Sequence, residues 1–582
     1  MSRRWADARA LSPRPLLAEP DAFAADLPLW LRRAQAARVA APAELALDLA
    51  QLPLPELRGI DTAVALLARA LAAQQRILVV GDFDADGATS SALALLGLRA
   101  CGGRQIDFLV PNRFEYGYGL TPEIVALAAT RAPDLIVTVD NGISSIAGVA
   151  AARAAGIRVL ITDHHLPGAE LPAADAIVNP NQPGCGFPYK GLAGVGVMFY
   201  VLAALRTRLK ANGWFAAQGI TEPILADWLD LVALGTVADV APLERLNRIL
   251  VHQGLRRIRA GRARPGVLVL LALANRDHRH AVAADLGFAV GPRLNAAGRL
   301  DDMSLGIRCL LAESAAEAHG LAAQLDELNR DRRMIEAQMQ REAEQQLERL
   351  RLGDDLPWGL CLFDPDWHQG VVGLLAGRVR ERSQRPTIAF AAAGDELKGS
   401  ARSIPGLHIR DALERVEARH PGLIHRFGGH AAAAGLTLAA GNFADFSRAF
   451  DAVVHELLTP EHLELRLLHD GELAPDQLTL DSARLLAAAG PWGQHFPEPV
   501  FVGEFRVLEA RAVGGTHLKL RLAADAGADG INVVDAIDAI AFSALEEGEQ
   551  PGLAATIRVL YRLDVNRYRG VERVQLVVEH FL

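Results

Sequence analysis

ILVVGDFDADG, residues 77–87, is the stretch that decides how the chain folds. Four consecutive aliphatic residues without polar alternation indicate a strand buried on both faces, and Asp82, Asp84 and Asp86 follow where that strand ends. Side chains two apart in extended backbone share a face, so the three carboxylates can converge on one point. Carboxylates that close repel one another unless a cation neutralises them, so the run implies a metal. D-x-D-x-D-G also opens an EF-hand calcium loop, but that loop needs a preceding helix and a bidentate Glu at position twelve. Here a strand precedes and position twelve is Leu93, which sets the calcium loop aside.

Further apolar runs, FLV at 108–110, LIVTV at 135–139 and VLIT at 159–162, alternate with Ala-rich segments of helix length. That pattern predicts parallel strands with crossover helices, an α/β domain. The runs close on chemistry-bearing residues: Asp140 in VTVDNG, Asp163-His164-His165 in VLITDHH, and Asp239 follows in ALGTVADVAPL. A single Asp after a strand is ordinarily a helix cap or turn former. Several together fit one site, because open parallel sheets bind ligands beyond the carboxyl ends of their strands. Oxygen-rich donors with imidazoles and no thiolate favour Mg²⁺ or Mn²⁺ over zinc. Two such ions about 4 Å apart would activate water in line with a phosphodiester, so the expected reaction is phosphodiester hydrolysis.

Composition limits the alternatives. A chain of 582 residues, 51% hydrophobic, is long enough for three or four cores. The formal charge is -9, so a polyanion would need a local basic surface rather than a global one. Cys101, Cys185, Cys309 and Cys361 form no C-x-x-C pair, which argues against a structural zinc site and a disulfide framework. Arg3 and Arg4 precede no apolar signal-like stretch, and no segment offers about 18 uninterrupted apolar residues, so a cytoplasmic protein without a membrane span is expected.

Residues 1–60, with Pro13, Pro15, Pro20 and Pro28 interrupting short helical patterns, suggest a helical preamble. Ser314 to Leu350 lacks proline and keeps Leu321, Leu325, Leu328, Ile335 and Met339 near helical spacing, which predicts a long connecting helix. A Gly- and Ala-rich second α/β domain follows. It holds SARSIPG at 400–406 and RFGGHAAAAG at 426–435. Gly428 and Gly429 before His430 would let backbone amides approach a phosphate, and Ser400 with Arg402 supplies a hydroxyl and a guanidinium. Between 370 and 430 ten Lys or Arg stand against six Asp or Glu, which marks this domain as the expected phosphate-tracking surface. LELRLL, FVGEFRVLEA, HLKLRL, TIRVLYRL and VQLVVEHF in the last 120 or so residues predict a small barrel of the OB type, a common platform for single-stranded nucleic acid.

Asp163-His164-His165 resembles the Asp-His-His motif that names the DHH phosphoesterase superfamily, and GDFDADG, VTVDNG and TVADVAPL are similar to its other metal motifs in order and spacing. The resemblance implies two ions, Mn²⁺ or Mg²⁺, bridged by Asp140, with Asp84 on one and Asp86, His164 and Asp239 on the other. His165 would face the substrate phosphate, which makes His165 and Asp140 the expected catalytic pair. Several small relatives carry a His where this chain has Val80, so the first ion is expected to have fewer protein ligands; Asp82, which they lack, joins the metal set. The second domain resembles DHHA1, the substrate-binding domain of the superfamily.

VGPRLNAAGRLDD at 290–302 and PNRFEYGYGL at 111–120 narrow the resemblance to the RecJ family, over nearly the whole chain. That family implies an α/β fold: a parallel-sheet DHH catalytic domain over 61–305 after the N-terminal segment 1–60, a connecting helix over 306–351, a smaller α/β DHHA1 domain over 352–460 and an OB-type β-barrel over 461–582. It implies Arg113, Ser400 and Arg402 for a 5′-terminal phosphate, Arg293 for a backbone phosphate, and His368 near the substrate. The implied activity is a 5′→3′ exonuclease specific for single-stranded DNA, releasing 5′-mononucleotides in DNA repair and recombination. The implied partners are DNA with a 5′ end, a single-strand-binding protein and a helicase, around a monomeric enzyme. Two other functions remain open: an oligonucleotide or cyclic-dinucleotide phosphodiesterase, and a non-catalytic replication scaffold. The aspartate and histidine set weighs against the scaffold.

Overall fold

Among the described residues the N-terminal segment holds short helices, at Pro20–Ala22, Leu29–Ala36, Pro42–Leu45 and Leu49–Gln51, and also a strand the sequence did not announce. The computed structural model describes residues 11–111, 119–351, 356–524, 536–545 and 551–582. In it, β1 (Leu11–Pro13) and the helix Leu29–Ala36 form a strap that reaches to the far end of the chain. Trp30 and Leu31 are buried in the C-terminal barrel core, whereas Phe23, Val39 and Leu57 belong to the core of the first domain. Apolar residues split between two cores cannot be told from sequence spacing alone.

The first domain is built on β2 (Ile77–Gly81), β3 (Ile106–Leu109), β4 (Leu135–Val139), β5 (Arg158–Thr162) and β6 (Ala176–Val178), in the order β3-β2-β4-β5-β6, all parallel. β2 and β4 are buried along their whole length. Period-two geometry sends Ile77 and Val79 to the core on one face of the sheet and Leu78 and Val80 to the other. Strand order reverses between β2 and β4, and in such sheets the crevice at the carboxyl ends beside that reversal is the ligand site. Asp82 to Asp86 leave β2 there, and Asp140 leaves β4 there.

The helix Ala315–Arg351, 37 residues long, spans about 55 Å. Its first half supplies Ala322 and Leu325 to the first core, and its second half packs Met339, Ala343 and Leu347 against Leu360, Leu362 and Trp367 of the second domain. The helix therefore belongs to both cores. The second domain is a mixed sheet ordered β10-β11-β9-β8-β7, from β7 (Leu360–Phe363), β8 (Thr387–Ala393), β9 (Glu396–Arg402), β10 (Arg426–Gly429) and β11 (Ala433–Ala439), with β7 and β8 parallel and the rest antiparallel.

The C-terminal barrel closes in the order β13-β14-β15-β17-β16, from β13 (Phe501–Val513), β14 (His517–Ala523), β15 (Ile537–Ala541), β16 (Thr556–Asn566) and β17 (Arg573–Phe581). β15 and β17 are parallel, the Greek-key arrangement of an OB barrel. LELRLL is not one of its strands. Its end forms β12 (Leu467–His469), which pairs in parallel with β1, and the short IDAIA segment completes the barrel instead.

At the strap, Arg38 Nη1 and Nη2 bind Asp470 Oδ1 and Oδ2 at 2.6 and 2.9 Å, and Arg38 Nε donates to the Pro497 carbonyl at 2.6 Å. Both side chains are 1% exposed. Removing one partner of a buried ion pair strands the other charge. Asp470→Ala should lower unfolding free energy by about 3–5 kcal/mol in denaturant titrations, with the barrel becoming protease-sensitive before the first domain.

Candidate metal centre

The loop after β2 turns directly into the helix Ala85–Ala100. Asp84 caps it: Oδ1 accepts from the Asp86 and Gly87 amides at 2.9 and 3.0 Å. Asn295 Oδ1 accepts from the Ala85 amide at 2.7 Å and ties the loop to the helix Gly291–Leu300. Asp86 is fully buried and caps a second helix, Gly194–Ala211, through the Gly194 and Val195 amides at 2.7 and 2.9 Å. A Cβ on Gly194 would lie 2.6 Å from Asp140 Oδ1, so glycine is what lets that carboxylate approach. The partly positive helix ends offset some of the charge collected here.

Asp140 has φ of 62°, a left-handed conformation that an aspartate holds only when its surroundings enforce it. Asn141 helps to enforce it, since its Nδ2 donates to the Val80 and Val139 carbonyls at 3.1 and 2.9 Å and clamps the ends of β2 and β4. Asp163 plays an orienting part that its place in the motif did not reveal. Its Oδ1 accepts from the His164 and His165 amides at 2.7 and 3.1 Å and lies 2.7 Å from His165 Nδ1, while Oδ2 accepts from the Ile143 amide. A carboxylate on Nδ1 keeps that nitrogen protonated and turns Nε2 of His165 outward.

The structure brings Asp82, Asp84, Asp86, Asp140, His164, His165 and Asp239 together. Three groups, Asp82/Asp84/Asp140, Asp86/His164/Asp239 and Asp140/His164/His165, each place their donor atoms within 4.8 Å of one another. His164 Nε2 is 3.0 Å from Asp140 Oδ1 and 3.9 Å from both Asp86 and Asp239, and it is buried with no hydrogen-bond partner among the described residues. Burial and then Asp84 push the Asp86 carboxyl up to about 7. Burial and then the surrounding carboxylates, Asp86 first, raise Asp140 and Asp239 well above the usual range. Burial, then His165, holds His164 down at about 3, so its imidazole is neutral. Burial also disfavours the charged His165, but the Asp163 hydrogen bond and nearby carboxylates outweigh it and raise this ring to about 9. A neutral imidazole aimed at carboxylates that resist ionising is a donor set that fits divalent cations.

The second domain roofs this centre. The His430 ring stacks on His165 at 6.0 Å with 22° between planes. GGHAAAAG forms the turn between β10 and β11, with Gly428 opposite Gly435 and Gly429 opposite Ala434. Gly429 has φ of 149°, and a Cβ there would meet Ala433 O at 2.4 Å. Gly428 and Gly429 are exposed, whereas the His430 amide is used, donating to Ala433 O at 2.8 Å. On neighbouring β9, Arg402 Nη1 donates to Ser400 Oγ at 3.1 Å, and Gly373 leaves both open, since a Cβ there would lie 2.9 Å from each side chain. Arg402 has no ion pair among the described residues.

Two expectations need correction. Arg293 is buried with Nε and Nη2 on Asp326 at 2.9 and 2.8 Å and Nη1 on Ala289 O at 2.6 Å, so it anchors the connecting helix instead of offering itself to a phosphate. The basic excess of the second domain is also smaller than the count suggested: Arg378, Arg380, Arg382, Arg415 and Arg419 pair with Glu336, Glu381, Glu344 and Glu456. His368 Nδ1 accepts from the Gly370 amide at 3.0 Å. Arg113 lies outside the described residues.

Comparison with known proteins follows the same division. The DHH family N-terminal domain matches residues 76–236, the DHHA1 domain 358–456 and the RecJ OB domain 469–580. The chain is 56% identical over 528 residues to the single-stranded-DNA-specific exonuclease RecJ of Dickeya dadantii, covering 90% of each. It is 52% identical over 560 residues to the Escherichia coli protein of the same name, covering 96% of each. The crystal structure of RecJ in complex with Mn²⁺ from Thermus thermophilus superposes with a TM-score of 0.78 at 30% identity, covering 100% of this chain and 79% of that one. From its metal-centre loops to its closing barrel, this chain belongs to the RecJ family of the DHH superfamily.

Proposed function

We propose that the protein is a 5′→3′ exonuclease that hydrolyses single-stranded DNA to 5′-mononucleotides with two divalent cations. The observation that carries this is the buried, unbonded Nε2 of His164 facing Asp140, Asp86 and Asp239 beneath the His430 roof. Asp140 stands in two of the three donor groups and suits the bridge; Asp82 and Asp84 would hold one ion, and Asp86, His164 and Asp239 the other. Bound there, Mn²⁺ or Mg²⁺ would supply activation of water and stabilisation of charge on the phosphate. His165, protonated and held by Asp163, directs its Nε2 toward the cleft and donates to the scissile phosphate. Ser400 and Arg402, with Arg113, take the 5′-terminal phosphate, and the exposed Gly428 and Gly429 let the strand pass close to backbone.

On this reading residues 61–305 carry the chemistry, 306–351 set the spacing, 352–460 hold the strand and 461–582 extend its track. The relatives' names support single-stranded DNA as the substrate. A monomer in the cytoplasm, working with a single-strand-binding protein and a helicase, completes the proposal. Among the described residues no helix is long and apolar enough to cross a membrane.

Single strands labelled at either end, with and without a 5′ phosphate, test the assignment in Mn²⁺ or Mg²⁺. Mononucleotides should appear from the 5′ end of long single strands, and equal cleavage of blunt duplex would overturn it. Asp140→Ala should reduce hydrolysis to background while the circular dichroism spectrum stays native. Asp163→Asn should cost about 10–100-fold in metal affinity or activity, the usual size for a residue that orients a ligand. Because Asp86 sits near 7 and Asp140 and Asp239 above their usual range, the metal-free site is partly protonated at neutral pH, whereas His164 has no proton to lose. Mn²⁺ uptake should therefore release protons, and apparent affinity should rise as pH increases through about 7. Calorimetry in buffers of different ionisation enthalpy reads this directly. Arg293→Ala should lower stability without changing the salt dependence of DNA binding.

A further inference from the structure

A second charged site lies away from the cleft, where the N-terminal strap, the helix Arg245–Arg259 and the segment entering the barrel meet. Two cavities, of about 210 and 540 Å³, flank Arg248 and Phe496, which line both. Arg248 is 2% exposed. Its Nη2 donates to the Glu44 carbonyl at 2.6 Å and its guanidinium sits 4.0 Å over the Phe496 ring, but Nε is buried without a hydrogen-bond partner, and among the described residues it forms no ion pair. Burial lowers this guanidinium only to about 10, so it stays charged at neutral pH.

Its surroundings repeat the pattern. Arg245, half-buried, lines the larger cavity with Nη2 donating to Gln51 Oε1 at 2.7 Å and Nε buried and unbonded, and Gln35 lines the smaller one with Oε1 buried and unbonded. Glu44, the acid beside Arg248, turns its carboxylate to the Ala40 and Ala41 amides at 3.0 Å each. Asp48 and Glu244 also line the cavities, yet neither pairs with either arginine. Nearby Arg38, by contrast, has its carboxylate in Asp470. Leaving a buried charge unpaired is costly, and guanidinium is the side chain best suited to phosphate oxygens.

We propose that this junction binds a small phosphoryl anion, up to the size of a nucleoside monophosphate, held by Arg245 and Arg248 with Phe496 and Tyr189 as aromatic walls. A cavity of about 540 Å³ lies in the range of small-ligand sites. Because the walls come from the strap, the first domain and the segment entering the barrel, the bound anion would tie these three together. The phosphoryl group could come from a free nucleotide or from a DNA strand.

Thermal unfolding of the whole chain in EDTA, with inorganic phosphate, deoxyadenosine monophosphate or a 12-mer oligothymidylate as probe, tests this. In Arg402→Ala, whose cleft phosphate site is disabled, saturating probe should raise Tm by about 2–4 °C, and adding Arg245→Ala or Arg248→Met should abolish that rise. Without probe, Arg248→Met should be at least as stable as the native chain, because an apolar side chain replaces an unpaired buried charge. A rise with the mononucleotide identifies a free nucleotide, and a rise with the 12-mer alone identifies strand phosphate; either supports the site. No rise in Arg402→Ala, or one that survives both junction variants in that background, overturns it. Should Arg248→Met fail to fold, Arg245→Ala decides alone.

Discussion

Mutual repulsion among buried carboxylates is the constraint around which the first domain is organised. Asp86 and Asp140 lie in protein interior at the ends of adjacent parallel strands, with Asp239 beside them at a helix end, and each resists ionising first because it is buried and then because other carboxylates are close. The chain tolerates this through features that serve little else: two helix N-termini capped by Asp84 and Asp86, a left-handed Asp140, a glycine at 194 where any side chain would collide, and Asp163 holding the amides of both histidines and the His165 ring. Local strain of this kind persists only where surrounding structure over-determines it and where a ligand gains from it.

Much of this was visible in the residues, and the limits have physical reasons. Unbroken aliphatic runs ending in Asp or Asp-His-His announce parallel strands and a site at their carboxyl ends, because burial on both faces removes the alternation a half-exposed strand would show. Arg293 was misjudged because its partner, Asp326, is 33 residues away on another helix, and an arginine in a Gly-punctuated stretch looks free until the fold supplies its carboxylate. Counting charge over 370–430 failed similarly, since Glu336 and Glu344 lie outside that window. LELRLL has strand propensity but pairs with the N-terminal strap, and IDAIA is too short to stand out although it completes the barrel. Asn141 and Asn295 were overlooked because backbone capping by an amide side chain leaves no spacing signal.

The strap changes how the domains relate. Sequence order suggests beads on a line, the barrel last. The structure returns residues 11–13 to residues 467–469 and divides the apolar residues of the strap between the first core and the barrel. The Arg38–Asp470 pair seals that junction away from water. The barrel is thus held against the first domain by side chains from both ends of the chain.

The 37-residue helix shared by two cores has a mechanical corollary. Bending it would pull Leu325 from one interior or Met339 from the other, and Arg299, bonded to the Gly370 carbonyl at 3.0 Å, adds a second tether across the gap. A roof braced in this way does not swing open to clasp a polymer around its middle. The polymer has to be fed in by its tip, and a closed circle has no tip to offer.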